Sequence, residues 1–268
     1  MNILQIENRG LLQQDIWLPP FDICGIPTGS AYKEWLPARR SRRGMAGNWR
    51  CIKASRGVAL HSWVEAKALA TFDFHPRVLE IRTQYPFWDR DKYLKYMRAG
   101  KPFPKSLVPT MDFMLTLRRD DGSFAYHCVS VKATGALDED EVRERQKRET
   151  DWCEKWGITW ELLTENDFPE QTYFNHLVLR EFIRGGSLDE LHEEARCFAD
   201  RVLNSTTSKS TNRDGINETL RRVLKCASWG TIPLRKCCRL FAVAVCIGHL
   251  KIDHEYPLGE HKELYLVR

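Results

Sequence analysis

Apolar and polar positions change period several times along the chain. His61–Phe74, HSWVEAKALATFDF, sets Trp63, Ala66, Leu69 and Ala70 at helical spacing. Val78–Phe87, VLEIRTQYPF, reads as a strand ended by Pro86. Met111–Leu117 and Phe124–Lys132 are rich in β-branched and aromatic residues and flank Asp120-Asp121-Gly122-Ser123, which predicts a β-hairpin. Asp138–Lys155 starts acidic and becomes basic, which suits a helix macrodipole, and Gly157 supplies the stop. Ile158–Leu163 is a further strand. Helix, strand, hairpin, helix and strand in this order give an α/β core with a mixed sheet. Residues 1–30 read only as an irregular lead-in, and Trp88–Pro104, charged and aromatic without clear periodicity, as an inserted loop.

Around Thr164–Thr172 the character changes. Asn175–Arg184, Leu188–Leu203 and Asp214–Lys225 read as helices, with a loose linker at Ser205–Arg213, and Ile232–Ile247 adds a helix that is nearly all apolar on one side. Lys251–Tyr256 and Leu264–Val267, separated by a turn at Pro257–Lys262, predict a terminal hairpin. Helices followed by a small hairpin describe a mainly α, winged-helix-like region. Such modules bind DNA or proteins, and fold alone does not decide which.

Composition narrows the setting. The chain has 268 residues, more than the commonest single domain, so two domains are expected. No apolar run approaches the ~20 residues of a membrane span. The N-terminus lacks the basic-then-apolar order of a secretory signal. A cytoplasmic protein without a membrane partner is the expectation. Nine cysteines without a C-x-x-C pair, and eight histidines without ligand spacing, suit reduced thiols better than disulfides or zinc. The net charge of +5 is unevenly placed: Lys33, Arg39, Arg40, Arg42, Arg43, Arg50, Lys53 and Arg56 face the single acid Glu34. With Tyr32, Trp35 and Trp49 interleaved, these cations can neutralise phosphates and pack on sugars or bases; the other reading is a solvated basic loop. Arg98, Lys101 and Lys105 offer a second such surface, equally readable as a solvated loop, and Lys209, Arg213, Arg221, Arg222 and Lys225 a third, for which a solvated helix face is the stronger reading.

If the hairpin pairs around Asp121-Gly122, its open ends meet, and Asp112 and Lys132 emerge at one end of the sheet. A carboxylate and a lysine there, with a second carboxylate from a preceding helix, fit metal-dependent phosphodiester hydrolysis. Hard divalent cations take oxygen ligands and keep several waters. Two of them, about 3.5–4 Å apart, would activate water and stabilise the leaving oxygen. The Val131 carbonyl can complete the coordination. Pro109-x-x-Asp112 followed by Ser130-Val131-Lys132 is a variant of the PD-(D/E)xK nuclease motif in which Ser130 stands where an acid is usual. Glu65 can supply that acid, although with Ser62 it also reads as an ordinary capping box. Gln146 and Glu149 on the following helix could face the same site.

Through YKEWLPARRSRRG, WVEAKALATF, VLEIRTQYPF, TMDFML, VSVKA, ERQKRETDW and ITWELLT, over roughly residues 30–168, the chain resembles TnsA, the endonuclease subunit of Tns-type heteromeric bacterial transposases. The resemblance implies a restriction-endonuclease-like nuclease domain over 58–170, preceded by a basic lead-in and arm over 1–57 and followed by a winged-helix-like domain over 171–268. It implies Glu65, Asp112 and Lys132 as catalytic residues with Glu149 in support. Glu65, Asp112, Ser130 and Val131 would hold Mg2+, for which Mn2+ can substitute. Ser130 departs from the family, where glutamine is frequent. The implied reaction is cleavage of the non-transferred strands at the 5′ ends of the transposon. The implied partners are a TnsB-like DDE transposase and a TnsC-like AAA+ ATPase. A stand-alone restriction-type nuclease and a catalytically weak DNA-binding adaptor are the alternatives.

Overall fold

A computed structural model describes residues 2–6, 12, 16–38, 46–104, 107–207 and 218–267. Six strands and seven α-helices occur among them: β1 (Gly47–Cys51), β2 (Arg56–Leu60), α1 (Trp63–Asp73), β3 (Val78–Pro86), α2 (Arg90–Arg98), β4 (Thr110–Arg118), β5 (Phe124–Val131), α3 (Asp140–Lys155), β6 (Thr159–Leu163), α4 (Glu170–Ile183), α5 (Leu188–Thr207), α6 (Leu220–Ala227) and α7 (Leu234–Cys246). Two compact units divide the chain, one of Met1–Leu4, Leu18–Ala66 and Glu80–Asp167, the other of Gln5–Trp17, Lys67–Leu79 and Phe168–Arg268.

The first unit is built on a four-stranded sheet in the order β3-β4-β5-β6. β4 and β5 pair antiparallel from Arg118–Phe124 to Phe113–Val129, and β5 pairs parallel with β6, so the sheet is mixed as expected. The hairpin turn closes through local chemistry. Asp121 Oδ1 accepts from the Ser123 amide at 2.8 Å and hydroxyl at 2.6 Å, while Gly122 takes φ +82° without a Cβ to clash. β3 is buried along its whole length and β4 in all but Arg118, and both carry buried polar residues among their apolar ones, Glu80, Arg82 and Gln84 in β3 and Asp112 and Thr116 in β4. Glu149, Trp152 and Cys153 are the buried residues of α3, at the i, i+3, i+4 spacing of one helix face. Trp152 packs on Tyr85 and Phe87 in a core that also holds Met111, Met114, Cys128 and Ile158.

The lead-in is not merely irregular. Asp22 Oδ1 accepts from the amides of Cys24 and Ile26 at 2.9 Å, making a turn, while its Oδ2 accepts from Arg82 Nη1 at 2.5 Å and Tyr85 Oη at 2.6 Å. Arg82 is fully buried, also meets Glu80 Oε2 at 3.3 Å, and stacks against Tyr32, Tyr85 and Tyr126. A buried guanidinium with two carboxylates ties residues 20–32 to the sheet.

Two segments correct the sequence expectation. The Trp88–Pro104 stretch contains helix α2, which starts where Asp89 accepts from the amides of Asp91 and Lys92. Within the expected basic arm, β1 and β2 form an antiparallel pair through a turn in which Ser55 takes φ +52°. In the second unit, α4 to α7 overlap the expected segments, but α4 starts at Glu170 rather than Asn175, α5 runs on through Thr207 into the expected linker, and α6 starts at Leu220, residues 214–217 of the expected helix lying outside the described residues. The expected terminal hairpin is reduced. Ile252–Leu266 and Thr219–Glu263 are isolated bridges, and the intervening turn is held from α4, where Asn175 donates to Tyr256 O at 2.9 Å and accepts from the Leu258 amide at 2.8 Å. Backbone committed to a side-chain clamp cannot also extend a ladder. No helix among the described residues is long and apolar enough to cross a membrane.

Candidate active site

β4 and β5 bring Asp112 and Lys132 together. Asp112, 5 % exposed, lies one residue beyond the last paired position of β4. Its Oδ2 accepts from the Val131 amide at 2.8 Å and from Lys132 Nζ at 3.3 Å, and Lys132 Nζ also donates to the Val131 carbonyl at 3.0 Å. The expected meeting at the open end of the hairpin is what the register produces.

Glu65 enters from the first turn of α1 and is 4 % exposed. The capping box forms, with the Glu65 amide donating to Ser62 Oγ at 3.1 Å and the Ser62 hydroxyl donating back to Oε1 at 3.0 Å. Its Oε2 accepts from the His61 amide at 2.9 Å and from Gln84 Nε2 at 3.4 Å. Burial, and next the negative charge of Asp112, push its carboxyl from the ordinary 4.5 up to about 7, with Lys132 opposing the rise. Glu65 and Asp112 therefore share one electrostatic neighbourhood. Gln84 links Glu65 to β4 by accepting from the Thr110 hydroxyl at 3.2 Å. Its φ of +51°, in a buried non-glycine residue at a cluster of acids, is the sort of held strain found at functional positions.

Ser130 does not stand without an acid. Its hydroxyl donates to Glu149 Oε2, which also accepts from Trp160 Nε1 at 3.2 Å. Arg145, one helical turn before Glu149, is a residue that sequence reasoning missed. Its Nε donates to Glu149 Oε1 at 2.7 Å, its Nη2 donates to the Thr110 carbonyl at 2.9 Å, and Nη2 lies 3.7 Å from Asp112 Oδ1. Arg145 thus bridges two buried carboxylates. The signal that could have found it is the i, i+4 pairing of Arg145 with Glu149 on a helix face. The Gln146 carbonyl accepts from the Thr150 hydroxyl at 3.0 Å, a bond within α3 rather than to the site.

Among the described residues no group of three or more His, Cys, Asp and Glu side chains is gathered to hold a metal. The oxygen donors present are the carboxylates of Asp112 and Glu65 and the Val131 carbonyl, a hard donor set that suits a magnesium-like cation keeping several waters. Of the eight cations expected to meet DNA, Lys33 and Arg50 are exposed, Lys53 is half-buried, and Arg56 is held by Glu34 beneath Tyr32. Arg39, Arg40, Arg42 and Arg43 lie outside the described residues, as do Lys105, Lys209 and Arg213 of the other two cationic groups.

A mixed sheet with a carboxylate and a lysine at its hairpin mouth, and helices supplying further acids, is a nuclease-like α/β domain. Residues 75–165 match the family described as the TnsA-like endonuclease N-terminal domain. The match covers about a third of the chain and agrees with the resemblance read from the sequence. The match contains Gln84, Asp112, Ser130, Lys132, Arg145 and Glu149, and Glu65 lies just before it. No curated protein matches the chain.

Proposed function

We propose that this chain is a metal-dependent DNA endonuclease subunit of a cut-and-paste transposase, cleaving the non-transferred strands at the 5′ ends of the transposon. The observation that carries the reading is the Asp112–Lys132 pair at the hairpin mouth, inside the TnsA-like match and within the field of Glu65.

In this reading Asp112, Glu65 and the Val131 carbonyl would hold Mg2+, or Mn2+ in its place. A cation bound there would lower the pKa of a water and offset negative charge at the scissile phosphate. Lys132, in contact with Asp112 and Val131, orients the attacking water and takes up part of the same charge. Ser130 reaches a carboxylate through Glu149, so its hydroxyl acts with that acid, while Arg145 fixes Glu149 and Asp112 at a common spacing. Glu65, raised to about 7, would have to give up its proton to serve as a ligand. A TnsB-like DDE transposase would process the 3′ ends, and a TnsC-like AAA+ ATPase would regulate the complex. The winged-helix-like reading of the C-terminal region rests on the order of α4 to α7 and the bridged terminal segment.

The test is cleavage of transposon-end duplexes by the purified chain with its partner transposase and Mg2+ or Mn2+. Cuts at the 5′ ends, abolished by Asp112→Ala, are expected. Cleavage that survives Asp112→Ala would refute the site. Site-preferring cleavage without the partner would favour a stand-alone nuclease, and DNA binding without cleavage an adaptor.

A further inference from the structure

The second unit carries a charged feature that the endonuclease chemistry does not use. A cleft of about 640 Å³ opens between the end of α4, the start of α5 and the first turns of α7. Four of its lining residues are cations, Arg184, Arg235, Lys236 and Arg239, and none is acidic. Glu181 and Glu194 pair with two of these cations, and Asp189 and Glu190 stand in the first turn of α5 beside the lining Leu191. Glu181 meets Arg184 at 3.4 Å with both side chains more than half exposed, and Glu194 meets Lys236 at 2.7 Å. Exposed pairs of this kind are weak and exchange readily for another anion. Among the described residues no carboxylate pairs with Arg235 or Arg239.

The cleft is also built. Arg239 Nη2 donates to the Arg184 carbonyl at 3.0 Å, which fixes the guanidinium, and its Nε is buried with no hydrogen-bond partner. Gly186 makes this placement possible, because a Cβ there would come within 2.8 Å of Arg239 Cδ. A fixed guanidinium is suited to bidentate phosphate recognition. The lining has no aromatic residue, so bases would find nothing to stack on.

We propose that this cleft binds the phosphate backbone of duplex DNA through Arg235, Lys236 and Arg239, independently of sequence. The proposal rests on the reading of the chain as a DNA endonuclease. It adds a DNA-binding surface formed by residues far in sequence from the nuclease motif.

The test is binding of the full-length chain to a random-sequence labelled duplex, followed by anisotropy in EDTA over a range of salt. Arg235→Ala with Arg239→Ala should lower the slope of log K against log salt by about 1.8, from about 0.9 for each phosphate no longer neutralised. Because Arg239 is packed against Gly186, the exposed pair Arg235→Ala with Lys236→Ala serves as a second variant, with the same fall in slope expected and an unchanged melting temperature. Arg196→Ala removes an exposed charge outside the cleft and should leave the slope alone. An unchanged slope in both cleft variants, or an equal fall in Arg196→Ala, overturns the proposal. Tighter binding of poly-glutamate than of the duplex, abolished in the same variants, assigns the cleft to an acidic protein segment and also overturns it. Normal cleavage with an unchanged slope removes the cleft alone; a wild-type chain that neither binds nor cuts DNA removes both readings.

Discussion

Glu65 gives the site a measurable cost in the absence of metal. Its carboxyl is raised from 4.5 to about 7, first by burial and then by Asp112. A carboxyl raised on folding binds its proton more tightly in the folded state. Its stabilising contribution is therefore present below the folded pKa and is lost as pH rises through about 7. Between about pH 8 and about pH 5.5 this one group should make the folded chain roughly 2 kcal/mol more stable, from about 1.4 kcal/mol for each pKa unit and partial titration at the lower pH. Glu65→Gln cannot titrate, so the wild type minus variant difference isolates the group. Urea unfolding of both in EDTA at the two pH values is the assay. The wild type should gain on the variant as pH falls, and saturating Mg2+ at the higher pH should close the gap. A difference that is flat with pH, or that widens in favour of the wild type at high pH, would refute a Glu65 carboxyl raised by burial beside Asp112.

Arg145→Gln should lower stability in EDTA by about 1.5–3 kcal/mol, the range for hydrogen bonds to charged groups, since Glu149 and Asp112 lose a shared cation. Mg2+ should raise the melting temperature of this variant by more than it raises the wild type; equal shifts would remove the bridging role. Asp22→Ala should cost about 3–5 kcal/mol by leaving the buried Arg82 short of a carboxylate, read as a lower urea midpoint at unchanged slope. A loss below about 1 kcal/mol would mean that Glu80 suffices alone. Lys132→Ala should stop cleavage while DNA association, measured in EDTA, stays nearly intact; equal losses in both would show that Lys132 mainly holds DNA.

The core of the first unit was legible because its pattern is strong. β3 and β4 are buried almost throughout and alternate β-branched, aromatic and other apolar residues with few breakers, and the hairpin turn carries its own Asp-Gly chemistry. α2 was not, since Arg90–Arg98 contains mostly charged residues and its best signal is the single cap Asp89. The β1–β2 pair hid for another reason: its turn has neither Gly nor Asn, and Ser55 takes the left-handed conformation instead. Arg82 was invisible as a core residue because an arginine in a strand is ordinarily read as solvent-facing. Its partner Asp22 could have been found as an Asx turn in FDICG, but the pairing across sixty positions in sequence could not.

Ser130 shows most clearly what spacing cannot express. Counted along β5 it is a missing acid, and that count invites the reading of a decayed site. In space its hydroxyl meets Glu149 from α3, so a carboxylate stands beside Ser130, delivered by a helix. The charges then balance in a way that depends on this substitution. Asp112 and Glu149 face Lys132 and Arg145, two negative against two positive, and Glu65 is largely neutral below pH 7. Ionising Glu65 leaves one negative charge in a buried place, which a hard cation beside Asp112 and the Val131 carbonyl would answer. A further carboxylate at position 130 would leave the metal-free site already negative, with Glu149 beside it, and would cost stability that Mg2+ would have to restore before the domain was sound. Serine at 130 and glutamate at 149 are in this sense one solution, written in two parts of the chain.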